Sequence, residues 1–89
     1  MSSARLTAVL TNAKGLHARP SSVLVKAALT FESTIRICAC GMEVNGKSIL
    51  EMMTLGAPFG TELEFHAEGS DAEAAVKVLA DLVTDGFGE

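Results

Sequence analysis

Hydropathy patterning along the chain predicts an α+β open-faced sandwich: a four-stranded antiparallel sheet with three helices on one face. Three observations carry that expectation. Four segments alternate apolar and polar residues with a period of two, as half-buried strands do. Three others repeat apolar residues at helical spacing in a single stripe. Their order is β-α-β-β-α-β-α, and strands with one wet face form an antiparallel sheet whose other face the helices cover. With 89 residues, 48% of them hydrophobic, the chain is expected to form a single domain over 1–89. Such a domain has one layered core and no deep substrate cavity.

In the first strand Leu6, Ala8 and Leu10 alternate with Thr7, Val9 and Thr11, and Asn12 to Gly15 interrupts the pattern. A helix follows from Ala18 to about Leu29, opened by Pro20, which a first turn tolerates because the N–H there lacks a helical partner. Its stripe reads Ala18, Ser22, Val25 and Leu29, flanked by Ser21, Val23, Leu24 and Ala28. Thr34 to Cys40 alternates again with Ile35, Ile37 and Ala39 on the core face; Gly41 ends the run and Met42 to Val44 returns. Asn45-Gly46 is a turn dipeptide.

Ser48-Ile49-Leu50-Glu51 matches a capping box, in which hydroxyl and carboxylate each satisfy a free N–H. It starts a short helix that stops near Leu55, before Gly56. After a loop over 56–60, Glu62 to Glu68 is a strand with Leu63, Phe65 and Ala67 inward and Glu62, Glu64, His66 and Glu68 outward. Ser70-Asp71-Ala72-Glu73 reads as a second capping box. Ala75, Val76, Leu79, Leu82 and Val83 then follow at helical spacing, and Gly86 to Glu89 forms a tail.

Seven Lys+Arg against eleven Asp+Glu, with a net charge of −4, argue against nucleic-acid binding, which needs a basic footprint. The charge is uneven, however. Residues 1–31 carry Arg5, Lys14, Arg19 and Lys26 and no acid, so the first third suits an anionic ligand or simply forms a solvated cationic surface. No apolar run of signal-peptide or membrane-spanning length is present, and two cysteines make no disulfide framework, which points to a cytoplasmic protein. Cys38 and Cys40 offer two thiolates, too few for a zinc site without His and carboxylate partners that spacing does not reveal. No metal site is expected, and His66 is read as a solvated histidine.

The informative stretch is Gly15-Leu16-His17-Ala18-Arg19-Pro20-Ser21-Ser22. His17 falls where loop becomes helix, among free N–H groups and at the positive end of the helix dipole. That position stabilises an anion and disfavours an imidazolium, leaving a neutral nitrogen that can act as a nucleophile. A phosphate attached there would suit the helix N–H groups and the planar fork of Arg19. The plainer reading is a polar helix start beside an exposed cation.

These residues, with Asn45-Gly46-Lys47-Ser48-Ile49, Thr54-Leu55-Gly56 and Ala67-Glu68-Gly69, resemble the HPr family over nearly the whole chain. Its members are small histidine phosphocarriers of the bacterial phosphoenolpyruvate-dependent sugar phosphotransferase system. The resemblance implies the same sandwich fold, no cofactor and no catalytic turnover. His17 would accept a phosphoryl group on Nδ1 from enzyme I, Arg19 would support it, and a IIA component would receive it. Ser48 would match the regulatory serine phosphorylated by HPr kinase/phosphorylase. Ile49, Leu50 and Met53, with Ser22 and Lys26 at the edge, would dock partners, transcriptional regulators among them; core packing is the competing account for the apolar members of that set. A monomer is expected. Lys14 and Glu51 depart from residues found in some members. A carrier of the nitrogen-related branch, an interaction module that transfers nothing, and a metallochaperone, whose cysteines would be expected in a loop entering a helix rather than along a strand, are the other readings.

Overall fold

The computed structural model describes residues 2–88. The elements run β1 (Ser3–Val9), α1 (Ala18–Ala28), β2 (Thr34–Ala39), β3 (Met42–Asn45), α2 (Ile49–Leu55), β4 (Glu62–Glu68) and α3 (Ala72–Thr84), followed by a single turn of 3₁₀ helix over Gly86–Gly88. All strand pairs are antiparallel and the sheet order is β1-β4-β2-β3. The expected open-faced sandwich is therefore the observed one. Its last residue, Glu89, which the sequence places in the tail, lies outside the described residues.

Alternation sets which strand residues enter the core. Ile35, Ile37, Leu63, Phe65 and Ala67 are buried, and they meet Leu24, Met52, Leu79 and Val83 from the helices. Full burial of each large side chain contributes about 1.5–3 kcal/mol. β1 starts earlier than its apolar pattern suggests, because Ser3 and Ala4 pair with Glu68 and Ala67 and so extend the ladder. Leu6 shares the core-facing side with Ala8 but keeps 42% exposure at the sheet edge. β2 stops at Ala39 because the hairpin to β3 needs left-handed backbone at both Cys40 (φ 53°) and Gly41 (φ 75°).

Two local readings are corrected. The buried stripe of α1 is Ser21, Leu24, Val25 and Ala28, while Ala18 and Leu29 are exposed. Leu24 is the bulkier side chain, and its burial rotates the helix away from the stripe centred on Ser22. Ser70 does not cap α3. The N-cap is Asp71, whose carboxylate instead crosses to the α1–β2 connection. There it accepts the Glu32 N–H at 2.8 Å, the Ser33 N–H at 2.9 Å and the Ser33 hydroxyl. Ser70 donates its hydroxyl to Glu32 at 3.3 Å. A serine and a glutamate three residues apart gave the motif, but a carboxylate between them found better donors.

The Ser33 hydroxyl, then the Glu32 N–H, hold the Asp71 carboxyl below its ordinary pKa. A depressed folded-state pKa stabilises the fold above the unfolded value, and that contribution fades as pH falls through the folded value. Asp71→Asn should therefore lower Tm most at neutral pH. Melting curves of both proteins should converge as pH drops below about 3.9.

Candidate functional site

After β1 the chain must leave the sheet edge and enter α1. Asn12 organises the turn: its Nδ2 donates to the Gly15 carbonyl at 2.6 Å, and the Gly15 N–H donates to the Asn12 carbonyl at 3.0 Å. Gly15 has φ +66°, and a Cβ there would run into the Ala57 carbonyl oxygen and lie 2.7 Å from the Pro58 carbonyl carbon. No side chain fits at that position. Leu16 then buries its side chain and donates its N–H to the Ala57 carbonyl at 2.7 Å. The loop before α1 is thus fastened to the segment that leaves α2.

His17 emerges from this clamp as the N-cap of α1, with extended backbone and a carbonyl that accepts the Ser21 N–H at 3.0 Å. Helix geometry leaves the N–H groups of Ala18 and Arg19 without an acceptor inside the helix, and Pro20 brings no N–H. Two donors and the positive dipole end therefore face outward beside the imidazole. The ring is half-buried, outside the core, and Arg19 is exposed. Both line an open groove with Asn12, Lys14 and the end of α3 at Thr84 and Asp85. Two cationic side chains, Lys14 and Arg19, and the donors of Asn12 and Thr84 meet one carboxylate, Asp85, there, an arrangement suited to an anion.

Sequence reasoning named His17 and Arg19 but not Asn12, Ala57 or Asp85. Asn12 had a legible signal, an Asx residue three before a glycine in a turn. Ala57 and Asp85 reach the site only through the fold.

Ser48 is the N-cap of α2, and its hydroxyl accepts the Glu51 N–H at 3.2 Å. The reciprocal half of the capping box is diverted, since Glu51 accepts the Asn45 N–H at 3.0 Å while the Ser48 N–H goes to the Asn45 carbonyl. Met52 and Leu55 are buried, whereas Ile49, Leu50 and Met53 are 42%, 81% and 47% exposed, so these three are not core residues. On α1, Lys26 is exposed and Ser22 half-buried on the same face, one turn apart. α1 packs against α2, and Phe59, also exposed, adds an aromatic side chain just past the clamp that the sequence did not single out.

On the uncovered face of the sheet, Cys38, Glu64 and His66 come together, with donor atoms all within 4.8 Å of one another. His66 Nε2 lies 2.6 Å from Glu64 Oε1. That bond holds the Glu64 carboxyl below its ordinary pKa. Burial, reinforced by the Glu43 carboxylate, pushes the Cys38 thiol up. Cys40, exposed in the hairpin turn, stands apart from the cluster.

Comparison with known proteins gives this geometry a family. The PTS-HPr model, described as the PTS HPr component phosphorylation site, matches residues 4–85. The chain is 40% identical over 82 residues to the phosphocarrier protein HPr of Mycoplasma capricolum, covering 92% of each. It is 43% identical over 83 residues to a multiphosphoryl transfer protein of Vibrio cholerae, covering 90% of this chain but only 21% of that protein. A crystal structure of HPr from Thermoanaerobacter tengcongensis superposes with a TM-score of 0.91 at 41% identity, covering 97% of both chains. The chain belongs to the HPr phosphocarrier family of the phosphotransferase system, whose members carry a phosphoryl group rather than catalyse turnover. Among the described residues, no helix is long and apolar enough to cross a membrane.

Gly15→Ala should destabilise the fold by about 2 kcal/mol or more, since it combines a left-handed backbone with a backbone collision. Denaturant unfolding checks the loss. Imidazole NMR shifts of His17 should move while those of His66 stay.

Proposed function

We propose that His17 accepts a phosphoryl group on Nδ1 from enzyme I, itself charged from phosphoenolpyruvate, and passes it to IIA components in the cytoplasm, with the 1–89 chain acting as one monomeric carrier domain. Attack through Nδ1 uses the lone pair of a neutral ring. A P–N bond forms as the donor's bond to phosphorus breaks, and the next acceptor reverses the exchange. The supporting observation is the position of His17 at the start of α1, where the Ala18 and Arg19 N–H groups and the Arg19 guanidinium can meet a phosphate without enclosing it. An open site suits a group that must be handed on.

Docking is assigned to Ile49, Leu50 and Met53 on α2 with Ser22 and Lys26 on α1. Unbranched Met and exposed Leu adapt to several partners, and transcriptional regulators would use the same surface. Ser48 is the proposed regulatory position for HPr kinase/phosphorylase. A phosphate there retains a helix-start location while adding charge beside Glu51 and the apolar patch, so it acts on docking more than on folding.

Incubation with phosphoenolpyruvate and enzyme I should add one acid-labile, base-stable phosphoryl group by intact mass. His17→Ala should abolish it, and Arg19→Ala should slow transfer about ten- to hundredfold through loss of a charge-assisted contact. Phosphate retained in His17→Ala would overturn the assignment. Ser48→Asp should weaken enzyme I binding several-fold by calorimetry while leaving stability within about 0.5 kcal/mol, because Asp is itself a good N-cap. Unchanged binding would remove the regulatory role.

A further inference from the structure

The face of the sheet that the helices leave bare carries its own arrangement of side chains. Antiparallel register places Glu64, Cys38 and Glu43 in one row across β4, β2 and β3, with Cys38 directly opposite a carboxylate on either side. His66 stands two residues along β4 on the same face, in the row that also holds Arg5 and Arg36. Directly opposed and diagonal partners on one face are close enough for long side chains to share a ligand. Here the Cys38 sulfur, a Glu64 oxygen and a His66 nitrogen lie within 4.8 Å of one another, and all three residues are half-buried.

From this we infer that Cys38, Glu64 and His66 form a binding site for a divalent transition ion of the zinc class, with Glu43 in reach as a fourth ligand. Thiolate, imidazole and carboxylate together are the donor set of zinc, with bonds near 2.0–2.3 Å. Tetrahedral ligands around such an ion stand roughly 3.5 Å apart, so His66 Nε2 and Glu64 Oε1, now 2.6 Å apart, open by about an ångström while the Cys38 sulfur, within 4.8 Å of both, closes, adjustments within the reach of side-chain rotation. The set discriminates against magnesium and calcium, which take oxygen ligands. Glu43 already accepts the Cys38 thiol at 3.6 Å and is held by Arg36 at 3.0 Å.

Binding replaces two existing contacts. The ion takes the place of the thiol proton, which leaves to solvent, and of the proton between His66 Nε2 and Glu64, which passes to Nδ1 of a neutral ring or, from an imidazolium, to solvent. Formal charges balance without a further anion: the thiolate and two carboxylates offset the ion together with one of the two neighbouring guanidinium groups of Arg5 and Arg36. No covalent change in the protein is needed, and the site lies on the opposite face of the sheet from the helix that begins at His17. Neither cysteine spacing nor local sequence reveals it, because Cys38 on one strand precedes Glu64 and His66 on another by 26 and 28 residues and only the register joins them.

Titration of the full reduced chain with Co²⁺, followed by competition with Zn²⁺, tests the inference. Saturation at one ion per chain with a thiolate-to-cobalt charge-transfer band supports it, as does displacement by zinc and none by Mg²⁺. Cys38→Ser should abolish the band. Glu64→Gln and His66→Gln should each weaken zinc binding by about tenfold or more, and zinc should raise the Tm of the parent chain but not that of Cys38→Ser. Cys40→Ser and His17→Ala should leave affinity within twofold. Loss of the band in Cys40→Ser, one ion per two chains, or the absence of saturable cobalt binding would each overturn it.

Discussion

The contact between the loop before α1 and the segment after α2 fixes the position of the candidate site. Leu16 hands its N–H to the Ala57 carbonyl, and Gly15 sits so close to residues 57–59 that only a residue without a side chain fits. His17 follows immediately, so its place at the start of α1 is set by a backbone clamp. The same clamp brings the segment that leaves α2 against the loop that carries the histidine. A hydrogen bond of this kind contributes only about 0.5–1.5 kcal/mol net, yet it fixes where the start of α1 stands relative to the exit of α2.

The fold divides labour between the two faces of its sheet. The covered face supplies cohesion through Ile35, Ile37, Leu63 and Phe65, and the helices that cover it present the site at the start of α1 and the patch on α2. Because α1 begins at the molecule's surface, its unsatisfied N–H groups meet solvent rather than the core, and an anion bound there remains exchangeable. The uncovered face has no packing duty, and charged and sulfur-bearing side chains gather there in cross-strand rows.

Much of this was legible in the sequence because the strands and helices carry clean periods. Glu62 to Glu68 alternates without exception and its bounds match the observed strand; the helix start at His17 was legible from Gly15 and Pro20 around it. What escaped was non-local. Asp71 abandons the cap of its own helix for donors 38 and 39 residues away, which no local motif encodes. The stripe of α1 was drawn through Ser22 because small residues on both sides satisfied the spacing equally well, and only packing of Leu24 decided between them. Cys38 was weighed for zinc only with Cys40, and Glu64 and His66 were read as outward-facing strand residues, since the meeting of the three depends on which strand pairs with which and in what register.

The central claim is that one ring nitrogen, held at the start of α1, takes the phosphoryl group. Nitrogen-15 NMR of the uniformly labelled, freshly charged chain addresses it most directly, since a P–N bond couples the bonded ring nitrogen to phosphorus and the chain holds two histidines. The account predicts phosphorus coupling on Nδ1 of His17 and an unaltered His66 ring. Coupling on His66, or a charged protein whose histidine nitrogens show none, would contradict it.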